Sequence, residues 1–176
     1  MILAKPLIAG DANGPPLELT TPLSFWGGLD VATGHVMDRH HPDFGRSLTA
    51  TILMMEQGRG SSSGSSVLAE AIRIGTAPVA ILLQKRDAII VTGAMVAAEL
   101  YGRNCPVILI ESAADWRRIA ACPWLHLSCR DGEATIGLSR PCSAQAGPGE
   151  QSLKTPFNEA EREVFLQSGR YCSDTL

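Results

Sequence analysis

Gly58-Arg59-Gly60-Ser61-Ser62-Ser63-Gly64-Ser65-Ser66 lies between an apolar run, Thr51-Ile52-Leu53-Met54-Met55, and a helix-like run, Val67-Leu68-Ala69-Glu70-Ala71-Ile72-Arg73. A strand, a loop of small residues and a helix, in that order, bring backbone N–H groups and the positive end of a helix dipole to one place. Such a place suits an anion. A flexible Gly/Ser linker would need structureless polar sequence on at least one flank, and neither flank has it.

Towards the C-terminus the same alternation repeats. Ser65 or Ser66 is expected to cap the helix that runs to about Ile74, and Gly75 to end it. Ala77-Pro78-Val79-Ala80-Ile81-Leu82-Leu83 is almost wholly apolar, as a strand covered on both faces must be. Asp87 precedes Ile89 to Tyr101, a helix that Asp87 caps and Gly102 stops. It is apolar on nearly every side, so burial is expected. Pro106 to Ile110 is another buried strand, followed by a short amphipathic helix from about Ala113 to Ala121. Trp124–Ser128 and Glu133–Leu138 flank Arg130-Asp131-Gly132, a hairpin signal. His126 alternates with apolar residues there and reads as a solvent-facing or hydrogen-bonded strand histidine. Ser139 to Lys154 shifts to Ser, Pro, Gly, Ala and Gln, a linker composition. Thr155 to Leu166 is a helix capped by Asn158, with Gly169 beyond it. Residues 1–142 are therefore expected to form the domain, and 143–176 a linker plus a short helix.

Towards the N-terminus, Ser47 to Met55 is the strand that delivers the loop. Met1 to Gly10 reads as a first strand, with Pro6 allowed only near an edge or bulge. Asp11 to Pro16 is a turn cluster, and Leu17 to Thr20 alternates as a half-buried strand. In Leu23-Ser24-Phe25-Trp26-Gly27-Gly28-Leu29-Asp30 an aromatic strand end meets paired glycines. That segment is either a hairpin turn packed under Trp26 or a place where a backbone or ligand comes close. Thr33-Gly34 turns into a short strand, His35–Asp38, before the polar, turn-rich Arg39–Gly45. His40 and His41 are adjacent, so an extended backbone points them to opposite faces, away from a shared metal. They organise the loop, or one of them meets a ligand. Strands alone, then strands alternating with helices, indicate an α/β chain: a small β/β/α domain with strands in two layers and helices covering one side of the central sheet.

Composition narrows the function. A chain of 176 residues suits one domain with its own core. With 15 basic and 18 acidic side chains, net −3 and no block of like charge, neither nucleic acid nor an anionic membrane surface is an expected partner. No apolar run reaches membrane-spanning length and no signal segment opens the sequence, so a cytoplasmic location is expected. The five cysteines are an odd number without metal-ligand spacing, so the chain is expected to bind no metal or cofactor of its own.

Several of these stretches together resemble the small swivel subunit or domain of aconitase X enzymes. They are Leu23–Asp30, Thr33-Gly34, His41-Pro42, Gly58–Ser65, Gly75-Thr76-Ala77-Pro78, Asp87, and Ala97-Ala98-Glu99-Leu100-Tyr101-Gly102. The resemblance covers about Pro6 to Ile110. Glu56-Gln57 depart from it, standing where Pro-Ser or similar is usual, and the tail after Cys142 has no counterpart in free-standing small subunits. The resemblance implies a swivelling β/β/α domain that closes over an active site formed mainly by a large aconitase X subunit. That partner would hold an iron–sulfur cluster or iron and most contacts to a small hydroxy-acid substrate. The family's reactions dehydrate cis-3-hydroxy-L-proline in bacterial members and mevalonate 5-phosphate in archaeal ones. By register with related aconitases, Ser61 is the expected proton acceptor. Arg59, Gly60, Ser62, Ser63 and Ser65, with Trp26, Gly27 and Gly28, are expected to bind substrate or support the loop. The tail from Leu153 to Gly169 is similar to the segment that opens the large domain in fused members.

A serine hydroxyl is a weak base until it loses its proton. Helix N-terminal N–H groups and the Arg59 cation would stabilise an alkoxide at Ser61 once water is excluded. The alternative reading is an orphan swivel module that binds an anion or regulates a partner without catalysis.

Overall fold

Contiguous apolar runs in the middle of the chain require a sheet covered on both faces, and the fold supplies two coverings of different kinds. A computed structural model describes residues 1–130 and 132–139. The strands are β1 (Ile2–Ile8), β2 (Ala12–Gly14), β3 (Pro16–Glu18), β4 (Leu29–Asp30), β5 (His35–Val36), β6 (Ile52–Met55), β7 (Ala80–Leu83), β8 (Val107–Leu109), β9 (Trp124–Arg130) and β10 (Glu133–Ser139). The helices are the single turn α1 (Phe25–Gly28), α2 (Ser63–Ile74), α3 (Ala88–Tyr101) and α4 (Ala113–Ala120). Eight strands form one sheet in the order β2-β9-β10-β1-β8-β7-β6-β3. The β3, β6, β7 and β8 strands are parallel, whereas β1 runs antiparallel to both β8 and β10.

The two ends of that order, β2 and β3, are separated in sequence by Pro15 alone. The sheet must therefore roll until its end strands adjoin. Consistent with this, a methyl group added to Gly14 of β2 would lie 3.6 Å from Ile52 Cγ1 of β6. The rolled sheet makes two β layers. Ile52, Met54, Ala80, Leu82 and Ile108 point between them and meet Ile2, Leu125, Leu127 and Ile136, with Trp116 and Ile119 of α4. Their neighbours Leu53, Met55, Ile81, Leu83 and Val107 point the other way, onto Leu68 and Ile72 of α2 and Ile90, Ala94 and Ala97 of α3. A period of two within each run thus feeds two cores at once. This is the expected β/β/α architecture.

Several local expectations need correction. Asp11 to Pro16 is not only a turn, because Ala12–Gly14 pairs with β9, and Pro16 with Leu17 and Glu18 pairs with β6. Long-range partners hold these residues extended despite their turn composition. The strand expected over Ser47–Met55 shortens to Ile52–Met55, since Ala50 adopts φ 59 and Thr51 N–H donates to the Leu48 carbonyl. Pro6 sits mid-sheet, but β1 changes partners there: Ile2 to Ala4 pair with β10, Lys5 to Ile8 with β8, and the register slips between Pro6 and Ile8. The bulge accommodates the missing N–H. The Asp87 cap, the left-handed stops at Gly75 and Gly102, and the β9–β10 hairpin are as expected. The linker after Ser139 and the Asn158-capped helix lie outside the described residues.

Candidate functional site

The glycine-serine loop leaves β6 at its carboxyl end and is tethered before α2 begins. Gly58 N–H donates to Asp87 Oδ2 at 2.9 Å, while Asp87 Oδ1 accepts from Ile89 N–H at 2.8 Å and Ile90 N–H at 3.1 Å. One carboxylate therefore caps α3 and anchors the loop. A Cβ at Gly58 would fall 2.8 Å from Asp87 Oδ2 and 3.0 Å from Ile90 Cδ1, so this approach requires glycine. Arg59 N–H donates to the Leu23 carbonyl at 3.0 Å. Gly60 has φ +106 and is backed by Ser24, whose Oγ would lie 2.5 Å from an added Cβ. Ser24 Oγ itself donates to the Trp26 carbonyl at 2.9 Å.

Past these tethers Ser61, Ser62 and Ser63 are exposed. The N-cap is Ser62 rather than Ser65 or Ser66, and its side chain makes no capping hydrogen bond. The turn starts early because Gly64 N–H reaches the Ser61 carbonyl and Ser65 N–H the Ser62 carbonyl, both at 3.0 Å. Ser65 Oγ also donates to the Ser62 carbonyl, at 2.7 Å, so that hydroxyl proton is used within the loop. Arg59 Nη2 lies 3.4 Å from Asp38 Oδ2 in a largely exposed ion pair.

Trp26-Gly27-Gly28 stands beside this loop: a Cβ on Gly64 would come within 3.9 Å of Trp26 N. The hairpin packed under Trp26 is not what forms. Phe25–Gly28 is a kinked single turn, with Phe25 and Gly28 buried, Gly27 at φ +75 and the Trp26 ring outward. Phe25 takes the core position and leaves Trp26 none.

His40 is exposed, and His41 is the loop organiser. Asp43 N–H donates to His41 Nδ1 at 3.1 Å, so the ring proton sits on Nε2, 3.2 Å from the Thr21 carbonyl. Asp43 accepts from Thr20 N–H and from Arg46 Nη1, each at 2.7 Å. Burial alone would raise the Asp43 pKa, but the hydrogen bonds from Arg46 and Thr20 outweigh it and hold the carboxyl below its ordinary value. His126 is hydrogen-bonded to Asn13 Oδ1 and Ser139 Oγ, as a strand histidine.

Sequence reasoning passed over Ser24, Asp38, the second oxygen of Asp87, and Gly93. A Cβ on Gly93 would lie 2.8 Å from the Ser65 carbonyl, so glycine lets α3 cross closely behind the first turn of α2. Among the described residues no group of three or more His, Cys, Asp or Glu is placed to hold a metal ion. No described helix is long and apolar enough to cross a membrane.

A family profile described as the aconitase X swivel domain matches residues 1–136. The chain belongs to the aconitase X swivel family. It is 44% identical over 150 residues to the cis-3-hydroxy-L-proline dehydratase of Pseudomonas aeruginosa, a match covering 85% of this chain and 25% of that protein. The phosphomevalonate dehydratase small subunit of Methanothermobacter thermautotrophicus is 44% identical over 88 residues, covering 50% of this chain and 67% of that one. The crystal structure of Thermococcus kodakaraensis aconitase X in its holo-form superimposes with a TM-score of 0.61 at 26% identity, covering 77% of this chain and 98% of that one. This swivel chain thus corresponds to about a quarter of its bacterial relative. Of the family's relatives, the bacterial one is named a dehydratase and the Methanothermobacter one a dehydratase small subunit.

Proposed function

We propose that this chain supplies the swivel half of an aconitase X-type dehydratase acting on cis-3-hydroxy-L-proline, with Ser61 as proton acceptor and a large subunit as partner. The observation that carries the substrate choice is the extent of likeness: 85% of the chain aligns with the bacterial hydroxyproline enzyme, against 50% with the archaeal small subunit at the same identity. In this reading the large subunit holds the iron–sulfur cluster or iron, which would supply Lewis-acid help to the departing hydroxyl. No described residue of this chain forms a metal-binding group, and none is assigned to the cluster.

The chain's own part is proton handling and charge. Ser61, as an alkoxide once its hydroxyl proton has been given up within the closed site, takes the proton from the carbon next to the carboxylate. The C–H electron pair forms the carbon–carbon double bond, the carbon–oxygen bond breaks, and the departing oxygen leaves as water with the proton that Ser61 gave up. In the free chain Ser61 is exposed, and water keeps its hydroxyl protonated. Closure against the partner would remove that water and strengthen the pull of Arg59 and the α2 dipole on an alkoxide. Gly58 and Gly60, tethered to Asp87 and backed by Ser24, keep Ser61 in place without ordering cost at closure. Ser62 and Ser63, exposed at the helix mouth, are the remaining hydroxyl donors for a substrate carboxylate.

The test is coexpression with a large subunit and assay of cis-3-hydroxy-L-proline dehydration. Turnover that appears only when both chains are present supports the reading. Small-anion binding by the lone chain, with no turnover in any pairing, favours the non-catalytic module instead.

A further inference from the structure

Trp26, Met37 and Phe44 are 62%, 50% and 53% exposed, unusual for large apolar side chains gathered in one part of a fold. They share one frame. Met37 N–H donates to the Gly28 carbonyl at 2.8 Å, so Met37 follows the Trp-Gly-Gly turn. Gly45 N–H donates to the Val36 carbonyl and Val36 N–H to the Arg46 carbonyl, both at 2.9 Å, which folds the Phe44 segment back along β5. Asp38, next to Met37, pairs with Arg59 of the serine loop. Beneath them the buried His41 and Asp43 fasten this segment to Thr20 and Thr21. The backbone that carries these side chains is thus already fixed by hydrogen bonds, so association has only their rotamers to order.

A second exposed apolar group, Ile74, Leu100 and Tyr101, sits at the far ends of α2 and α3. Ile89, near the start of α3, faces Gly64, with Cγ2 3.4 Å from where a Cβ would be. At a rise of about 1.5 Å per residue Leu100 is roughly 16 Å further along that helix. Of the two, only the first is tied to the serine loop, through Trp26, whose backbone N lies 3.9 Å from a Cβ on Gly64, and through Asp38 beside Met37, which pairs with Arg59. The bacterial relative places three quarters of its length outside the region that matches this chain, and the archaeal relative is named a small subunit. In the dehydratase reading a polypeptide equivalent to that remainder closes over Ser61, and Trp26, Met37 and Phe44 are the exposed apolar side chains on the segments linked to that loop.

We propose that Trp26, Met37 and Phe44 form an apolar rim that docks on the large partner, with Trp26 as its anchor and the Arg59–Asp38 pair inside the rim. This rests on the dehydratase reading above. It reassigns Trp26 from substrate contact to partner contact, in keeping with the enrichment of tryptophan among interface anchors.

The probe is the portion of the Pseudomonas aeruginosa dehydratase outside the matched 150 residues, coexpressed with the full-length chain. That enzyme's own matched segment, supplied in trans, serves as the control that the probe is competent. Trp26→Ala should weaken association at least about tenfold, Met37→Ser and Phe44→Ser several-fold each, and raising the concentration of the large polypeptide should recover turnover. Leu100→Ser should change neither quantity. Unchanged association of Trp26→Ala overturns the proposal, as does a raised KM for the hydroxy acid with association intact. Association of the wild-type chain without turnover would instead sink the dehydratase reading and leave the docking rim standing. No association at all sinks both.

Discussion

The helices α2 and α3 leave neighbouring parallel strands and run side by side, yet their first turns are finished differently. The α3 helix is closed by its own chemistry, with Asp87 accepting from Ile89 and Ile90. The α2 helix is left uncapped: its N-cap serine makes no side-chain bond, and that serine and Ser63 after it face solvent. The carboxylate that closes α3 also reaches across to hold the loop in front of α2. One terminus is closed by a side chain and steadies the other, where Gly64 and Ser65 N–H groups turn back on the Ser61 and Ser62 carbonyls and no side chain caps the end.

Five substitutions test that contrast, in falling order of effect. Ser61→Ala should lower turnover of the assembled enzyme by about 10²- to 10⁴-fold, the usual contribution of a positioned acid–base group, with the melting temperature unchanged. Full activity would remove Ser61 from proton transfer. Gly60→Ala forces a side chain onto φ +106 and into Ser24 Oγ, which should cost about 1–3 kcal/mol and displace Ser61. Denaturant unfolding and turnover should fall together. Asp87→Ala makes α3 resemble α2. It should cost about 1–2 kcal/mol for the cap and speed amide hydrogen exchange at Gly58 as well as at Ile89 and Ile90.

Ser62→Asp makes α2 resemble α3. Because Ser62 already has helical φ −56 and ψ −23, the gain is only the charge–dipole part, about 0.3–1 kcal/mol. Activity should drop because the new carboxylate occupies the anion's place; a stabilised enzyme of undiminished activity would show that α2's open end has no ligand. The smallest effect lies in the support under the rim. The Asp43 pKa is depressed in the folded chain, where burial raises it less than Arg46 and Thr20 lower it. Its stabilisation is therefore complete above the unfolded carboxylate value of about 3.9 and is lost as pH falls through the lowered folded value. Asp43→Asn should flatten that part of an acid-melting profile.

Much of this was legible in the residues. Runs such as Ala77–Leu83 and Pro106–Ile110 are apolar at consecutive positions, and only strands with a core on each side need that. Asp87, Gly75 and Gly102 announced helix ends through local chemistry that tertiary packing left untouched. Where distant partners decide, the sequence was silent. Ala12–Gly14 is extended because β9 accepts it, more than a hundred positions along the chain. The path of the loop before α2 is held by Asp87 at Gly58 and backed by Ser24 at Gly60, neither of which is near it in sequence. The sequence leaves Trp26 between packing in a hairpin and contact with a ligand or the loop, since neighbouring aromatics compete for one core position, and only the fold shows Phe25 in that position.

The meeting of β2 and β3 across Pro15 also bears on how the sheet meets other molecules. Open sheet edges recruit strands from other molecules and seed aggregates. Here both ends of the eight-stranded order are three-residue strands turned toward each other. If the chain is made apart from a large partner, as proposed above, then among the described residues neither end of its eight-stranded sheet would offer a long backbone edge to a second copy.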